Sequence, residues 1–303
     1  MTESPSSETR RCAVVVNPIK VSEDFRALVM ERLTAAGWAD PLWLETTEED
    51  PGRGMTQQAL EADVDLVIGA GGDGTVRVVA GGMANSQVPM GVVAAGTANL
   101  LARNLDLPLT EPEALDVALA GQTRDIDLVK LTVDGRVSDH FAVIAGLGVD
   151  AVIMDEVNPT LKKAVGPAAY FFAAGKALGR LPFRMEISID GGRRHRRRAM
   201  VCLIGNVGKL PGNIDLIPQA DAQDGKLDVY VASPHRLRHW LRLAVRLVTR
   251  RPQRDDQVDN WQGRRVDVRL AETDNYQMDG DVVGECRTLT AEVQPGALRV
   301  CIP

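Results

Sequence analysis

The chain has 303 residues, of which 45% are hydrophobic and 25% charged, a balance typical of a globular protein. Its net charge of −6 disfavours a general nucleic-acid binder, so we expect no nucleic-acid partner. The four cysteines lack the spacing of metal ligands or redox pairs, which favours a reduced, cytoplasmic protein. No apolar run has the roughly 18–20 residues of a membrane span. Residues 1–9 are polar and are predicted to form a disordered tail that is not a signal peptide.

Strand and helix patterns alternate over residues 10–126, which predicts an α/β domain built on a parallel sheet. The predicted strands are Cys12–Val16, Leu42–Leu44, Val64–Ile68 and Val88–Ala94. One predicted helix begins after an N-cap at Ser22, and two others cover Met55–Glu61 and Glu111–Ala120. Three polar or glycine-rich segments, Asn17-Pro18, Gly71–Thr75 and Gly96-Thr97, each follow one of these strands. Ligands bind beyond the carboxyl ends of parallel strands, so we expect these segments to gather at one sheet edge.

From residue 127 the pattern changes to strands separated by turn signals, which predicts a mostly antiparallel β domain over residues 127–288. The predicted strands are Asp127–Val133, His140–Ile144, Arg184–Ile189, Ala199–Ile204, Leu227–Val231, Arg265–Leu270 and Leu298–Ile302. Asp190-Gly191-Gly192 predicts a hairpin that joins Arg184–Ile189 to Ala199–Ile204. Two domains that meet at a cleft are the simplest arrangement.

The segment Gly71-Gly72-Asp73-Gly74-Thr75 carries the most information. Glycines let the backbone approach a ligand closely, so successive N–H groups can converge on an anion. A helix that begins at Thr75 would add its dipole to that attraction. The Asp73 carboxylate suits a metal ion, or a hydroxyl group that is to be deprotonated. The alternative is an ordinary glycine-rich turn between a strand and a helix.

Taken together, the motifs resemble the diacylglycerol kinase catalytic family, which includes bacterial lipid kinases and the sphingosine and ceramide kinases. The most specific element is Gly71–Thr75 followed by Gly96-Thr97-Ala98-Asn99; the supporting motifs are Gly146–Ala151, Ile217–Asp228 and Met278–Asp281. The resemblance implies a Rossmann-like N-terminal domain of the phosphofructokinase and NAD-kinase type and a C-terminal β-sandwich. It also implies that residues 289–303 return to the first domain. ATP is the implied phosphate donor, and a lipid hydroxyl group is the acceptor.

The same resemblance assigns the nucleotide contacts. The residues assigned to ATP are Asn17, Pro18, Thr46, Gly71, Gly72, Asp73, Gly74, Thr75, Gly96, Thr97 and Asn99. Thr47 fits the position of Thr46 nearly as well. Many bacterial relatives have an acidic residue after the asparagine of the second loop, where this chain has Leu100 and Leu101. These two side chains either face the lipid or pack the helix.

Two carboxylates compete for the role of the base that accepts the proton of the lipid hydroxyl. Resemblance to the bacterial enzymes, which have Asp-Gly-Glu, assigns the base to Asp281, although aspartate is one methylene shorter than glutamate. Resemblance to the eukaryotic relatives assigns it to Asp73. For Asp281 the alternative is an acid in an ordinary Asp-Gly turn.

A structural Mg²⁺ site of the bacterial family matches Asp221, Asp224 and the backbone carbonyl of Lys226. Oxygen ligands in a tight, glycine-containing loop suit a hard cation, although a solvated turn has the same composition. The transferring Mg²⁺ is expected to arrive with ATP and to be held partly by Asp73.

Residues 235–251 have the composition of an amphipathic helix that lies on a membrane surface. One face would carry Arg238, Arg242, Arg246 and Arg250, and Trp240 would lie on the opposite, apolar face. A helix packed on the β domain is the alternative. Residues 193–198 form a second basic cluster. Both segments favour peripheral association with an anionic membrane, which implies the inner face of the cytoplasmic membrane.

These observations favour an ATP- and Mg²⁺-dependent lipid kinase that converts diacylglycerol to phosphatidic acid. Alternative acceptors are a sphingoid base, ceramide or monoacylglycerol, or a soluble polyol or dinucleotide bound to the same N-terminal fold. A lipid or nucleotide sensor that has lost turnover is the non-enzyme alternative, and Asp281 in place of glutamate is its only support. A homodimer is compatible with the resemblance, but no segment predicts an interface.

Overall fold

The computed structural model describes residues 9–148, 182–210, 214, 215, 217, 219–233 and 258–303. The chain divides into two compact units, and each is described by itself. The first unit ends at Ile126 and also takes in Ala297–Pro303, whereas the second unit is Asp127–Gly296. The segment that returns to the first unit is therefore shorter than the expected 289–303.

The first unit is an α/β structure in which short helices separate buried strands. Its elements are β1 (Cys12–Val16), α1 (Phe25–Ala35), β2 (Leu42–Glu45), α2 (Arg53–Glu61), β3 (Leu66–Gly71), α3 (Asp73–Gly82), β4 (Met90–Ala94), α4 (Leu100–Asn104) and α5 (Glu111–Leu119). The strands are parallel in the order β2-β1-β3-β4. Beside β4 lies the end of the last strand of the chain, β16 (Asp281–Cys301), where Val300 pairs with Met90.

Helices cover both faces of this parallel sheet. Apolar residues of α1 and α5 pack with β1, β3 and β4 on one face. On the other face α3 crosses β3, and Val79 lies against Gly69. Every residue of β1, β3 and β4 is buried, which explains why these strands read as continuous apolar runs rather than as alternating patterns.

Two local expectations in the first unit are wrong. The N-cap of α1 is Asp24, and the Ser22 hydroxyl instead donates to Glu111 Oε2 at 2.6 Å. The Ser22 hydroxyl, which the local pattern assigned to the cap, is thus bound to the carboxylate of Glu111, a residue distant in sequence. Helix α3 begins at Asp73 rather than Thr75, because β3 continues to Gly71 and only Gly72 separates the two elements.

The second unit is antiparallel, and one hydrophobic core runs through it. Its elements are β5 (Thr123–Val133, which begins in the first unit), β6 (Arg136–Phe141), β7 (Ile144–Leu147), β8 (Phe183–Ile189), β9 (His195–Ala199), β10 (Val201–Gly205), β11 (Lys209–Leu210), β12 (Ile214–Asp215), β13 (Leu227–Ala232), β14 (Val258–Gly263), β15 (Arg265–Met278) and most of β16. The main strand order is β14-β13-β10-β7-β15-β16. The expected class, an α/β domain followed by an antiparallel β domain, is confirmed.

The predicted hairpin has a different second strand from the one expected. The turn at Asp190 and Gly191 has positive φ at both residues, but it joins β8 to β9. The expected partner segment, 199–204, instead forms most of β10, which pairs with β7 and β13. Four of the six residues of the basic cluster at 193–198 therefore lie in β9 rather than in the turn.

No helix in the described part of the chain is long and apolar enough to cross a membrane. The proposed membrane-contact residues, Arg238, Trp240, Arg242, Arg246 and Arg250, lie outside the described residues.

Candidate active site

The glycine-rich loop of the first unit connects a buried strand to a helix N-terminus. Gly72 is the N-cap of α3, with extended backbone (φ −77°), and no side chain caps the helix. The first N–H groups of a helix have no intrahelical partner, and the helix dipole makes this end positive. An α-helix whose cap has no side chain leaves its N-terminus accessible to an anion.

The two glycine loops pack closely, and two of their glycines have no room for a side chain. A Cβ atom at Gly96 would lie 3.0 Å from Gly72 Cα and 2.9 Å from Asn99 Oδ1. A Cβ atom at Gly71 would lie 2.8 Å from the Thr75 side chain. Glycine is therefore needed at 71 and 96 for close packing.

Asp73 ties the second loop to the first. Its Oδ2 accepts the N–H of Asn99 at 2.9 Å, and its Oδ1 accepts the N–H of Leu100 at 2.5 Å. Asn99 has left-handed backbone (φ 50°), and its Oδ1 accepts the N–H of Gly96 at 2.8 Å. Asp73 and Asn99 thus hold the two loops in one arrangement, which is a structural role in addition to any chemical one.

The remaining residues assigned to ATP lie at the carboxyl ends of the same strands, which the parallel register places side by side. Asn17 is half-buried, and its backbone N–H donates to Ala70 at the end of β3 (2.8 Å). Pro18 and Thr97 are exposed, whereas Gly74 lies in the first turn of α3. The structure therefore brings together the segments that were expected to share one sheet edge.

Thr46 and Thr47, the two candidates for one nucleotide contact, differ in their surroundings. Thr46 is buried and its N–H donates to Val16 at 2.8 Å, so it extends the pairing of β2 with β1. Thr47 is exposed, and its hydroxyl oxygen accepts the N–H of Asp50 at 3.1 Å. Leu100 and Leu101 are both buried within the first unit, so in this structure they pack the helix.

The Asp-Gly-Asp motif of the second unit is a two-residue hairpin turn between β15 and β16. Met278 pairs with Asp281, and the residues between them, Asp279 and Gly280, have φ of 48° and 96°. Positive φ at both positions is the pattern of a type I′ turn, for which Asp-Gly is a favoured sequence. Asp281 directly follows the turn and is exposed.

Asp279 has a structural role that the sequence did not predict. It is only 5% exposed, and its carboxylate accepts three backbone N–H groups, those of Ala142, Val143 and Ile144, at 2.8–3.2 Å. The buried Asn206 amide donates to the Ala142 carbonyl at 2.8 Å and strengthens the same segment. The hairpin that carries Asp281 is therefore fixed to the strand segment before β7.

The predicted metal loop is held by a second buried acid, Asp127. Its two carboxylate oxygens accept the N–H groups of Gly225 and Gly296, each at 2.8 Å. Asp221 is exposed, and Asp224 accepts the N–H of Lys226 at 2.9 Å. Within the described ranges, no three His, Cys, Asp or Glu side chains cluster as metal ligands do.

A further carboxylate next to this loop has its oxygens buried without a hydrogen bond. Asp228 is 2% exposed, and neither side-chain oxygen has a partner within hydrogen-bond geometry. Burial raises the pKa of Asp228, the Gln219 and Gln262 amides lower it in part, and the charge of Asp224 raises it further. Asp228 therefore places a buried carboxyl group next to Asp224.

Sequence reasoning assigned no role to Asp127, Asp228 or Asp279, although the last two lie within the motifs Ile217–Asp228 and Met278–Asp281. Each is an acid in or next to a predicted strand or turn. Only the tertiary fold places N–H donors around Asp127 and Asp279 and buries Asp228. The third motif, Gly146–Ala151, is described only to Gly148, where positive φ (77°) and contact with the Met200 carbonyl require glycine.

Comparison with known proteins agrees with this architecture. Residues 11–131 match the diacylglycerol kinase catalytic domain, and residues 142–302 match the YegS C-terminal NAD kinase β-sandwich-like domain. A crystal structure of a diacylglycerol kinase from Bacillus anthracis has the same fold, with a TM-score of 0.70 and 21% identity over 98% of each chain. These matches define the chain as a two-domain, NAD-kinase-like protein and confirm the expected fold class.

Two curated relatives extend the match to sequence. The diacylglycerol kinase of Bacillus subtilis is 28% identical over 282 residues, which cover 91% of each chain. A Pseudomonas fluorescens protein named probable lipid kinase YegS-like is 32% identical and covers 98% of this chain and 96% of its own length. The chain belongs to the diacylglycerol kinase catalytic family, in the group with a YegS-type C-terminal domain.

Proposed function

We propose that this protein is an ATP-dependent lipid kinase that transfers the γ-phosphate of ATP to the hydroxyl group of diacylglycerol, forming phosphatidic acid. The observation that carries the proposal is the pair of interlocked glycine loops at the end of β3 and β4, beside an uncapped helix N-terminus. Family membership supports kinase chemistry, and the names of its relatives favour a lipid acceptor.

The glycine loop would bind phosphate through the backbone. The N–H groups at the start of α3 supply directional donors, and the helix dipole favours negative charge there. Thr97 is exposed next to this loop, and Asn17 is half-exposed at the end of β1, so both side chains can reach a nucleotide. Phosphoryl transfer depends mainly on such positioning and on charge neutralisation.

The two candidate bases are distinguished by their surroundings, since Asp73 is partly buried and Asp281 is exposed. Asp73 accepts two backbone N–H groups of the second loop, so both of its carboxylate oxygens are already used to hold that loop. Asp281 is exposed at the tip of a hairpin that Asp279 anchors. We therefore assign proton acceptance from the lipid hydroxyl to Asp281, and the alignment of the phosphate loops to Asp73.

Mg²⁺ would supply charge neutralisation on the transferred phosphate when it is bound with ATP. For a structural Mg²⁺ site we retain Asp221, Asp224 and the Lys226 carbonyl. The buried Asp228 carboxyl group supports a cation at this loop, because its oxygens lie next to Asp224 and have no partner within hydrogen-bond geometry among the described residues. Peripheral association with an anionic membrane completes the proposal, since the acceptor lies in a bilayer.

The test is a transfer assay with γ-labelled ATP, Mg²⁺ and separate mixed micelles of diacylglycerol, monoacylglycerol, ceramide and sphingosine. Label in the product from diacylglycerol alone is the expected result. Label in a different lipid would replace the acceptor, and label in no lipid despite measurable ATP binding would contradict the lipid-kinase proposal and favour a soluble acceptor or a sensor.

Two single variants test the division of roles between the aspartates. Asp281→Asn should retain ATP affinity and thermal stability but lose about 10²- to 10⁴-fold in turnover, the usual contribution of a general base. Asp73→Asn should lower thermal stability and ATP affinity as well as turnover, because its amide would replace one of the two acceptors with a donor. Unchanged turnover in Asp281→Asn would overturn the assignment.

A further inference from the structure

The second unit carries a pocket of about 620 Å³ that the proposed reaction does not use. It lies over the exposed positions of β8, β9 and β15, where Arg184 and Glu186 alternate with the buried Met185 and Ile187. The arginines that line it are Arg184, Arg196, Arg197, Arg198, Arg269 and Arg287. Glu186 is the one acid among its described lining residues, although the whole chain has a charge of −6.

Strand register places these arginines close to one another. Arg184 lies directly opposite Arg198 on β9. Glu186 lies between Arg196 on one side and Arg269 on the other. Like charges directly opposite each other on neighbouring strands destabilise a sheet. The arrangement therefore has a cost that a bound anion would offset.

Acids of the protein neutralise only part of this charge. Glu186 accepts a hydrogen bond from Arg196 at 2.8 Å, and Asp259 is paired with Arg197. Among the residues that the structure describes, no carboxylate forms an ion pair with Arg184, Arg198 or Arg269. Three guanidinium groups at one pocket are thus available to an external ligand.

The chemistry of the pocket favours phosphate over other anions. The planar guanidinium fork matches two phosphate oxygens, and several forks can share one phosphate group. No aromatic side chain lines the described pocket, so it lacks the stacking platform on which single-stranded nucleic acids rely. The basic surface continues into a neighbouring pocket of about 460 Å³ at Arg193 and Arg194, so it extends beyond one small ion.

We propose that this arginine pocket binds the phosphate group of an anionic phospholipid at a membrane surface. The pocket shares no residue with the proposed nucleotide and base positions, and it would hold the enzyme at the bilayer rather than take part in transfer. The choice of a lipid over a soluble phosphate rests on the proposed function, because an enzyme with a bilayer-borne acceptor must dock there.

The test measures vesicle binding of the full chain without ATP or diacylglycerol. Vesicles of phosphatidylcholine alone are compared with vesicles that also contain phosphatidylglycerol. The double variant Arg198→Gln with Arg269→Gln should weaken binding to the anionic vesicles by about 30-fold, since each basic residue near such a surface contributes about fivefold. Glutamine keeps most of the aliphatic stem, and thermal unfolding verifies that the variant folds.

A matched control removes the same charge elsewhere in the second unit. Arg136 and Arg264 are exposed and lie outside the pocket, so Arg136→Gln with Arg264→Gln should weaken binding far less. Equal losses of vesicle binding in the two double variants would mean that only net charge matters and would overturn the proposal. Equal binding to neutral vesicles would also overturn it, as would displacement by inorganic phosphate at the concentration of lipid phosphate, which would identify a soluble ligand. A kinase without transfer activity could still pass this test, so the two proposals fail separately.

Discussion

Asp134 shows how a single turn residue can make stability depend on pH. It has left-handed backbone (φ 48°) between β5 and β6, and its carboxylate accepts the N–H of Thr288 at 2.7 Å and that of Arg287 at 3.1 Å. The Thr288 N–H, followed by that of Arg287, lowers the pKa of Asp134 below its usual 3.8. The charged form is therefore the one that the fold stabilises.

We predict that Asp134→Asn lowers the unfolding temperature at neutral pH by about 2 °C, a small value because the site is exposed. A depressed carboxyl pKa gives stability that is present above 3.8 and is lost as pH falls through the folded-state value. The difference between variant and wild type should therefore shrink below pH 3.8, which urea unfolding at several pH values would measure.

The control for this prediction is Asp63→Asn. Asp63 also has positive φ (49°) and is exposed, but among the described hydrogen bonds its carboxylate accepts none. Asparagine tolerates the left-handed region, so neither variant should strain the backbone. A loss of similar size in Asp63→Asn, or a pH-independent loss in Asp134→Asn, would contradict the electrostatic explanation.

At the scale of elements, two glycines of the facing loops allow packing and ligand binding to be tested separately. Gly72 lies between β3 and α3, and Gly96 follows β4. A Cβ atom at Gly96 would lie 3.0 Å from the Gly72 backbone, so Gly96→Ala must push the two loops apart. A Cβ atom at Gly72 would meet nothing closer than Gly96 Cα at 3.9 Å, an ordinary contact. A methyl group at residue 72 therefore fits the protein and lies at the N-terminal end of α3, where we propose that phosphate binds.

We predict that Gly72→Ala keeps the unfolding temperature of the wild type and weakens ATP binding by about tenfold or more, the equivalent of one charge-assisted hydrogen bond. Gly96→Ala should lower both stability and ATP affinity. Calorimetric titration with ATP and thermal unfolding would distinguish the two. Wild-type ATP affinity in Gly72→Ala would show that the phosphates do not contact this backbone.

The elements also show what a sequence can and cannot predict. Buried parallel strands such as β1 are continuous apolar runs, so their positions could be predicted from the sequence. The turn at Asp190 was predicted from its residue types, but its second strand was not, because turn chemistry does not specify which later segment pairs with β8. Loop motifs located Gly72, Asp279 and Asp281, but the anchoring role of Asp279 could not be predicted, because only the fold places three N–H groups around its carboxylate.

At the scale of the whole molecule, the last residues of the chain complete the first unit. Ala297 accepts the N–H of Asn85 at 2.7 Å, and Val300 pairs with Met90 on β4. The Ile302 N–H donates to Gln122 at 3.0 Å, and Leu298 is fully buried. The first unit is therefore discontinuous in sequence, and its stability depends on the returning segment Ala297–Pro303.

We predict that Leu298→Ala destabilises the first unit by about 2–5 kcal/mol, the usual cost of removing a buried leucine side chain. Hydrogen exchange should become faster in peptides from β3 and β4 while peptides from β13 and β14 keep their protection. Arg299→Ala is the neighbouring control, because the ion pair of Arg299 with Asp125 lies at the surface and such pairs contribute little. Equal acceleration in both units after Leu298→Ala would mean that the chain unfolds as one cooperative body, and no acceleration would mean that the returning segment is dispensable.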